Sequence, residues 1–355
     1  MITLFIIEDA KTGCEAADAG PVRLFAPPGY TGRAVIRRHH QRALLAAAAA
    51  IAVVVLTPIL LSSHLKGPLP TILVEQRAIY EQRPRPGGTV YRDLIYHSAP
   101  FNRQGLDIYM PESEAASDAT TAAVPGILFI HGGSWLHGSK EDIRVIDRFV
   151  GKMRRRGWAV ISIDYVASPL GLLDVPSRNV RRAMDWVRDH AEDYGIDPQK
   201  LGLYSVSAGS HLALEALVSE KDPASRWRFW LNEYGPADLV AMANGEAFED
   251  SERLARLPNR YLRRHSPLLD VDGPLPPTAI VHGDADRTVA LAQSERLAEV
   301  LAAYGTEVSL TVIPGGDHGF FNKSQAEWSA MEDDFILFMA RHFGTARIPP
   351  EPGVQ

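Results

Sequence analysis

The sequence predicts an α/β domain: a parallel sheet with helices covering both faces. Three observations lead there. Short apolar runs such as Ile127–Ile130 are bounded by glycines, as buried strands are. These runs alternate with segments of helical period, and strand–helix alternation builds parallel sheets buried on both sides. The composition is that of an ordinary globular chain, with 355 residues, 46% hydrophobic, 23% charged and 8% aromatic.

Composition also excludes several classes. Lys and Arg total 37 against 43 Asp and Glu, for a formal charge of −6, so the basic excess of a nucleic-acid binder is missing. The single cysteine, Cys14, rules out an internal disulfide and a cysteine-built metal site.

Taken in order, residues 1–42 form a basic segment with six Lys or Arg against four Asp or Glu. From Ala43 to Ser63 the chain runs 21 residues without a charge. About 20 apolar residues at ~1.5 Å each span a ~30 Å hydrocarbon layer. Arg33, Arg37, Arg38 and Arg42 precede the run and Lys66 follows it, which places residues 1–42 in the cytoplasm and the rest outside. A single-span anchor is therefore expected at 43–63, with the folded domain extracytoplasmic. A cleaved export signal, releasing a soluble product, and a buried helix are the competing readings. Residues 64–87 carry Pro68, Pro70, Pro84 and Pro86 and suit a stiff linker. The α/β domain is assigned to 88–345 and a frayed tail to 346–355.

Within the domain a strand pair is expected at Val90–Tyr96 and Leu106–Met110, then a surface loop over Glu112–Val124. Strand Ile127–Ile130 is followed by helix Asp142–Arg156 and strand Trp158–Tyr165. Ser177 reads as the N-cap of a helix whose Val180, Met184, Val187, Ala191 and Tyr194 share one face, with Gly195 at its end. Strand Leu201–Val206 leads into helix Ala208–Ser219. Strand Pro277–Val281, a helix lined by Leu297, Val300, Leu301 and Tyr304, strand Val308–Ile313 and helix Trp328–His342 complete the series.

Four segments carry the chemistry, each at the end of an expected strand. Ser205-Val206-Ser207-Ala208-Gly209 joins a strand to a helix, and small residues around Ser207 permit the tight elbow that exposes a nucleophilic hydroxyl. His131-Gly132-Gly133-Ser134-Trp135 offers bare backbone N–H groups to a developing oxyanion, completed by the N–H of Ala208. His282-Gly283-Asp284-Ala285-Asp286 and Gly316-Asp317-His318-Gly319-Phe320 supply an acid and a base. Asp286 lies 79 residues after Ser207 and His318 a further 32, the order Ser, Asp, His. Asp284 and Asp286 both remain candidates for the acid, whereas Asp317 and His318, as chain neighbours in an extended loop, point apart. His131 is expected to brace the glycine loop, and His211 and His282 to be structural.

These residues resemble the α/β-hydrolase superfamily, and within it the esterase/lipase group with an HGG-x-W oxyanion loop. The likeness also rests on Asp164-Tyr165, Gly195-Ile196-Asp197-Pro198 and Tyr234-Gly235-Pro236, and covers about residues 88–343. It implies a mostly parallel eight-stranded sheet, the early strand pair giving the antiparallel member. It implies Ser207 as nucleophile, His318 as base, Asp286 as the orienting acid, and Gly133, Ser134 and Ala208 as the oxyanion donors. Two positions depart from the pattern: Ser205 stands for the first elbow glycine, and Val166 follows Asp164-Tyr165 where arginine is frequent.

The resemblance implies an acyl-enzyme serine esterase that needs no metal or organic cofactor and takes a small-molecule ester. Residues 239–265, the largest insertion, are expected to form a small helical cap, and a short cap favours short acyl chains. Trp135, Trp230, Phe320 and Phe321 are candidates to line an apolar acyl pocket, with plain core packing as the alternative for each. A peptidase or amidase of the same fold, and a catalytically dead binding module, are the alternatives.

Overall fold

The computed structural model describes residues 88–99, 102–112, 123–168, 172–245 and 251–344. The chain divides into two units, residues 1–84 and 85–355, and every described residue belongs to the second. The basic segment, the apolar run at 43–63, the linker and the tail lie outside the described residues. Among the described residues no helix is long and apolar enough to cross a membrane.

The strands are β1 (Val90–Ala99), β2 (Asn102–Tyr109), β3 (Val124–Ile130), β4 (Ala159–Ile163), β5 (Ile196–Val206), β6 (Trp230–Glu233), β7 (Thr278–Gly283) and β8 (Val308–Ile313). They form one sheet in the order β1-β2-β4-β3-β5-β6-β7-β8. β2 is antiparallel to both its neighbours, and every pairing from β4 to β8 is parallel. This is the mostly parallel sheet expected. Because successive strand residues face opposite sides, Leu128 and Ile130 enter one core while Ile127 and Phe129 enter the other.

Each core is closed by its own helices: α1 (Asp147–Arg155), α2 (Asp174–His190), α3 (Ala208–Ser219), α4 (Leu239–Asn244), α5 (Ser251–Leu254), α6 (Asn259–Arg264), α7 (Leu291–Ala303) and α8 (Gln325–Phe343). Val180, Leu212 and Leu297 from α2, α3 and α7 fill the first core. Phe149, Phe335 and Met339 from α1 and α8 fill the second. The three short helices α4–α6 occupy the segment expected to form a cap.

Two expectations are corrected and one strand is added. Ser177 does not cap α2, which starts at Asp174; its hydroxyl lies inside the helix and donates to Leu173 O at 2.6 Å. Pro176 is tolerated there because first-turn residues have no helical acceptor to satisfy. The helix expected from Asp142 opens as a 3₁₀ segment, Lys140–Ile146, and becomes α-helical only at Asp147. Strand β6 was not expected at all. Its four residues, Trp-Leu-Asn-Glu, show no clear period, and pairing on both edges makes it a strand.

Candidate active site

The four sequence segments converge because β3, β5, β7 and β8 point the same way and their loops leave from one edge of the sheet. Ser207 sits between β5 and α3 with φ 51° and ψ −123°, a left-handed conformation rare for a residue with a side chain. Its backbone N–H donates to Glu233 O on β6 at 2.9 Å, which fixes the turn. Gly209 allows the helix to press against β3: a Cβ there would lie 2.3 Å from the carbonyl oxygens of Ile130 and His131.

Ser205, the departure from the elbow pattern, has a partner set of its own. It is wholly buried, accepts the indole N–H of Trp230 at 2.8 Å, and lies 3.0 Å from the Ser210 hydroxyl. Where a glycine would leave the indole unsatisfied, serine closes the network. Val166, the other departure, donates its backbone N–H to Asn179 Oδ1 at 3.2 Å.

Ser207 Oγ lies 2.9 Å from His318 Nε2, and His318 Nδ1 lies 2.7 Å from Asp286 Oδ2. A carboxylate only accepts, so the ring proton sits on Nδ1 and Nε2 is free to take the serine proton. Asp286 Oδ1 accepts the backbone N–H groups of Thr288 and Val289 at 2.8 and 2.9 Å. Burial works to raise the Asp286 carboxyl, yet hydrogen bonds from His282, His318 and Val289 hold it well below the usual carboxylate range. Tyr234 packs its ring edge-on to His318, 4.7 Å between centroids.

The rival acids are placed elsewhere. Asp284 accepts the backbone N–H of Gly315, and Asp317 that of Asn322, both in exposed loops. Asp286 is the carboxyl that meets His318.

The glycine loop lies against the serine: a Cβ on Gly132 would stand 3.2 Å from Ser207 Cβ. The backbone N–H groups of Gly133, Ser134 and Ala208 have no acceptor among the described residues, the condition for an oxyanion site. Ala208 opens α3, so its N–H is one of the free amides of a helix start. His131 braces the loop from beneath. It is fully buried, stacked 4.0 Å over Tyr165, and that phenol donates to the His131 and Gly132 carbonyls.

Three candidate pocket residues are buried away instead. Positive φ at Ser134 and Trp135 turns the Trp135 indole into the first core, edge-on to His211. Phe320 packs between Tyr234 and Trp328 in the second core. Trp230 is likewise core. Phe321 does line a cavity beside the glycine loop, joined by Trp328 and the buried acid Glu233.

Sequence reasoning missed the contact of His282. This fully buried ring, on β7, places Nε2 3.1 Å from Asp286 Oδ2 and 2.9 Å from Val289 O, with Nδ1 2.7 Å from Ser294 Oγ. Its position four residues before Asp286 was the available signal. Among the described residues no group of three or more His, Cys, Asp or Glu is arranged to hold a metal ion.

The BD-FAE family matches residues 106–301, more than half of the chain. The chain belongs to the BD-FAE family. The BD-FAE match spans the glycine loop, the elbow and Asp286 but stops before His318. Esterase LipC of Mycobacterium tuberculosis is 27% identical over 252 residues, covering 64% of this chain and 59% of that protein. Esterase LipQ of the same organism is 30% identical over 215 residues, covering 55% and 50%. Kynurenine formamidase of Drosophila melanogaster is 28% identical over 225 residues, covering 61% and 71%. The chain thus spans about half to three-fifths of the length of the two mycobacterial relatives. Among solved structures, a truncated carbohydrate esterase from gut microbiota superposes with a TM-score of 0.59 at 24% identity, covering 73% of this chain and 98% of that one. The carboxylesterase EstE1 gives 0.59 at 21%, covering 77% and 94%. These likenesses show the α/β-hydrolase fold.

Proposed function

We propose that this BD-FAE member is a serine-dependent carboxylic ester hydrolase. The observation that carries the reading is the line from Ser207 Oγ through the His318 ring to Asp286, with distances of 2.9 and 2.7 Å. As Oγ bonds to the ester carbonyl carbon, its proton passes to His318 Nε2. Asp286 holds the ring tautomer and stabilises the imidazolium. The carbonyl oxygen, now negative, is met by the N–H groups of Gly133, Ser134 and Ala208. Collapse breaks the bond to the alcohol, which departs with the proton from His318 and leaves an acyl group on Ser207. Water then repeats the sequence and frees the acid. Similarity to proteins named esterases supports the substrate class, and the short cap helices favour short acyl chains.

Hydrolysis of p-nitrophenyl esters from acetyl to long-chain acyl groups tests this reading. Rates should be highest for the shortest chains, and Ser207→Ala should lose turnover with the fold retained. Undiminished turnover in that variant removes Ser207 from the chemistry, and rates rising steadily with chain length remove the short-chain assignment.

The same geometry serves amide cleavage, and the similarity to a kynurenine formamidase favours that as the second reading. A panel of aryl esters against aryl formamides and aminoacyl amides separates the two. We further propose that the uncharged run 43–63 tethers the enzyme to a membrane with its catalytic unit extracytoplasmic. Recovery of the activity in the soluble fraction alone would contradict the tether.

A further inference from the structure

A cavity of about 430 Å³ opens beside the glycine loop, over the second core. Gly132 and Gly133 form one wall, and Gly319, next to His318, forms another. Phe321, 75% exposed, stands at its mouth. Tyr204, Tyr234 and Trp328 supply aromatic surface within, and Glu233 lies among them.

Glu233 is the unusual member. It is fully buried at the end of β6, and its contacts are phenols: Tyr204 donates to its Oε1 at 3.0 Å and Tyr234 bonds it as well. No Lys or Arg stands within ion-pair distance of it among the described residues. Arg148, also on the wall, is paired with Glu332 at 2.9 Å, and Lys152 reaches the same carboxylate at 3.2 Å. Those cations are thus answered, and Glu233 is a buried acid without a counter-charge. Aromatic faces around an unanswered carboxyl form the environment that attracts an organic cation out of water.

The cavity's place relative to the reacting atoms indicates which part of a substrate would enter it. His318 delivers its proton to the departing alcohol, so the alcohol portion lies by the His318 loop, and Gly319 of that loop is a cavity wall. Resting on the esterase reading above, we propose that the cavity receives an alcohol portion bearing an ammonium group, with Glu233 as its counter-charge and the aromatic side chains as its walls.

The test compares acetylcholine with 3,3-dimethylbutyl acetate, its uncharged isostere, on the full chain at pH 8, where Glu233 is ionised, with p-nitrophenyl acetate as a reference ester. The proposal expects kcat/KM about tenfold higher for the charged ester, falling to within about twofold of the neutral one in Glu233→Gln. Trp328→Leu, which removes an aromatic wall without touching the buried acid, is expected to narrow the ratio too and serves should the first variant fail to fold. Equal values for the two esters, no turnover of acetylcholine, or a ratio unchanged by the variants overturns the cation site, while hydrolysis of p-nitrophenyl acetate shows that the esterase reading survives. No hydrolysis of any of the three esters overturns both.

Discussion

His282 Nε2 lies 3.1 Å from Asp286 Oδ2, the same oxygen that receives the His318 ring at 2.7 Å. One carboxylate oxygen is therefore held between two imidazoles, one buried in the sheet and one facing the serine. Ser294 and Val289 fix the inner ring, since a carbonyl can only accept and so assigns the proton to Nε2. The inner histidine thus keeps Asp286 both oriented and ionised.

Replacing His282 by Leu leaves the Ser294 hydroxyl and the Val289 carbonyl without their buried partner, a loss of about 1–3 kcal/mol in urea unfolding. It also removes a donor that depresses the Asp286 carboxyl. A depressed carboxyl contributes stability above its ordinary value of 3.8 and loses it as pH falls through the folded value. The variant is expected to unfold at a higher pH than the unaltered protein in an acid titration followed by circular dichroism. Coincident acid transitions would show that His282 does not support the carboxylate.

Asp286→Asn tests the orienting role. The amide preserves shape but offers the ring no anion, and the imidazole loses its tautomer. A fall in kcat of about 10⁴-fold is expected, by analogy with the same change in other serine triads. A loss below about tenfold would indicate that another acid serves His318.

Much of this site was legible before any coordinates. Helix Ala208–Ser219 and strand Val308–Ile313 appear with the expected bounds: alanines and leucines favour the helix, and Val308, Thr311, Val312 and Ile313, β-branched, favour the strand. The meeting of Ser207, Asp286 and His318 follows from strand direction, which alternation of elements specifies. What escaped depends on neighbours distant in sequence. β6 exists through pairing on both edges rather than through its own pattern. Trp135 and Phe320 are aromatic residues beside a reactive loop, and only backbone turns with φ of 60° and 57° decide that they face inward. Asp284 and Asp286 differ by two residues, and the loop's own hydrogen bonds choose between them.

Ser205 gives a direct test of the elbow network. Ser205→Ala leaves the Trp230 indole N–H buried without an acceptor, and about 1–3 kcal/mol of stability should be lost. Urea midpoints measure it. No change would mean that the indole finds another acceptor and that serine at this position is incidental.

Glu233 sets a pH dependence of stability. Burial, against the phenolic hydrogen bonds of Tyr204 and Tyr234, pushes its carboxyl up to about 7 from an ordinary 4.5. Glu332 on α8 adds like charge in the same direction. An acid raised on folding binds its proton more tightly in the folded state, so its contribution is complete below pH 4.5 and is lost as pH rises through about 7. A shift of that size amounts to about 3 kcal/mol for a buried group. Unfolding at pH 5 and pH 8 should therefore show a larger drop for the unaltered protein than for Glu233→Gln. Equal drops would mean that Glu233 stays ionised throughout.

The most direct measurement of the central claim is the site of covalent capture by a fluorophosphonate, read by intact mass and peptide mapping. One adduct per chain is expected, on Ser207, formed in step with loss of ester hydrolysis and absent in Ser207→Ala. An adduct on a different residue, or full activity persisting in a chain modified at Ser207, would contradict it.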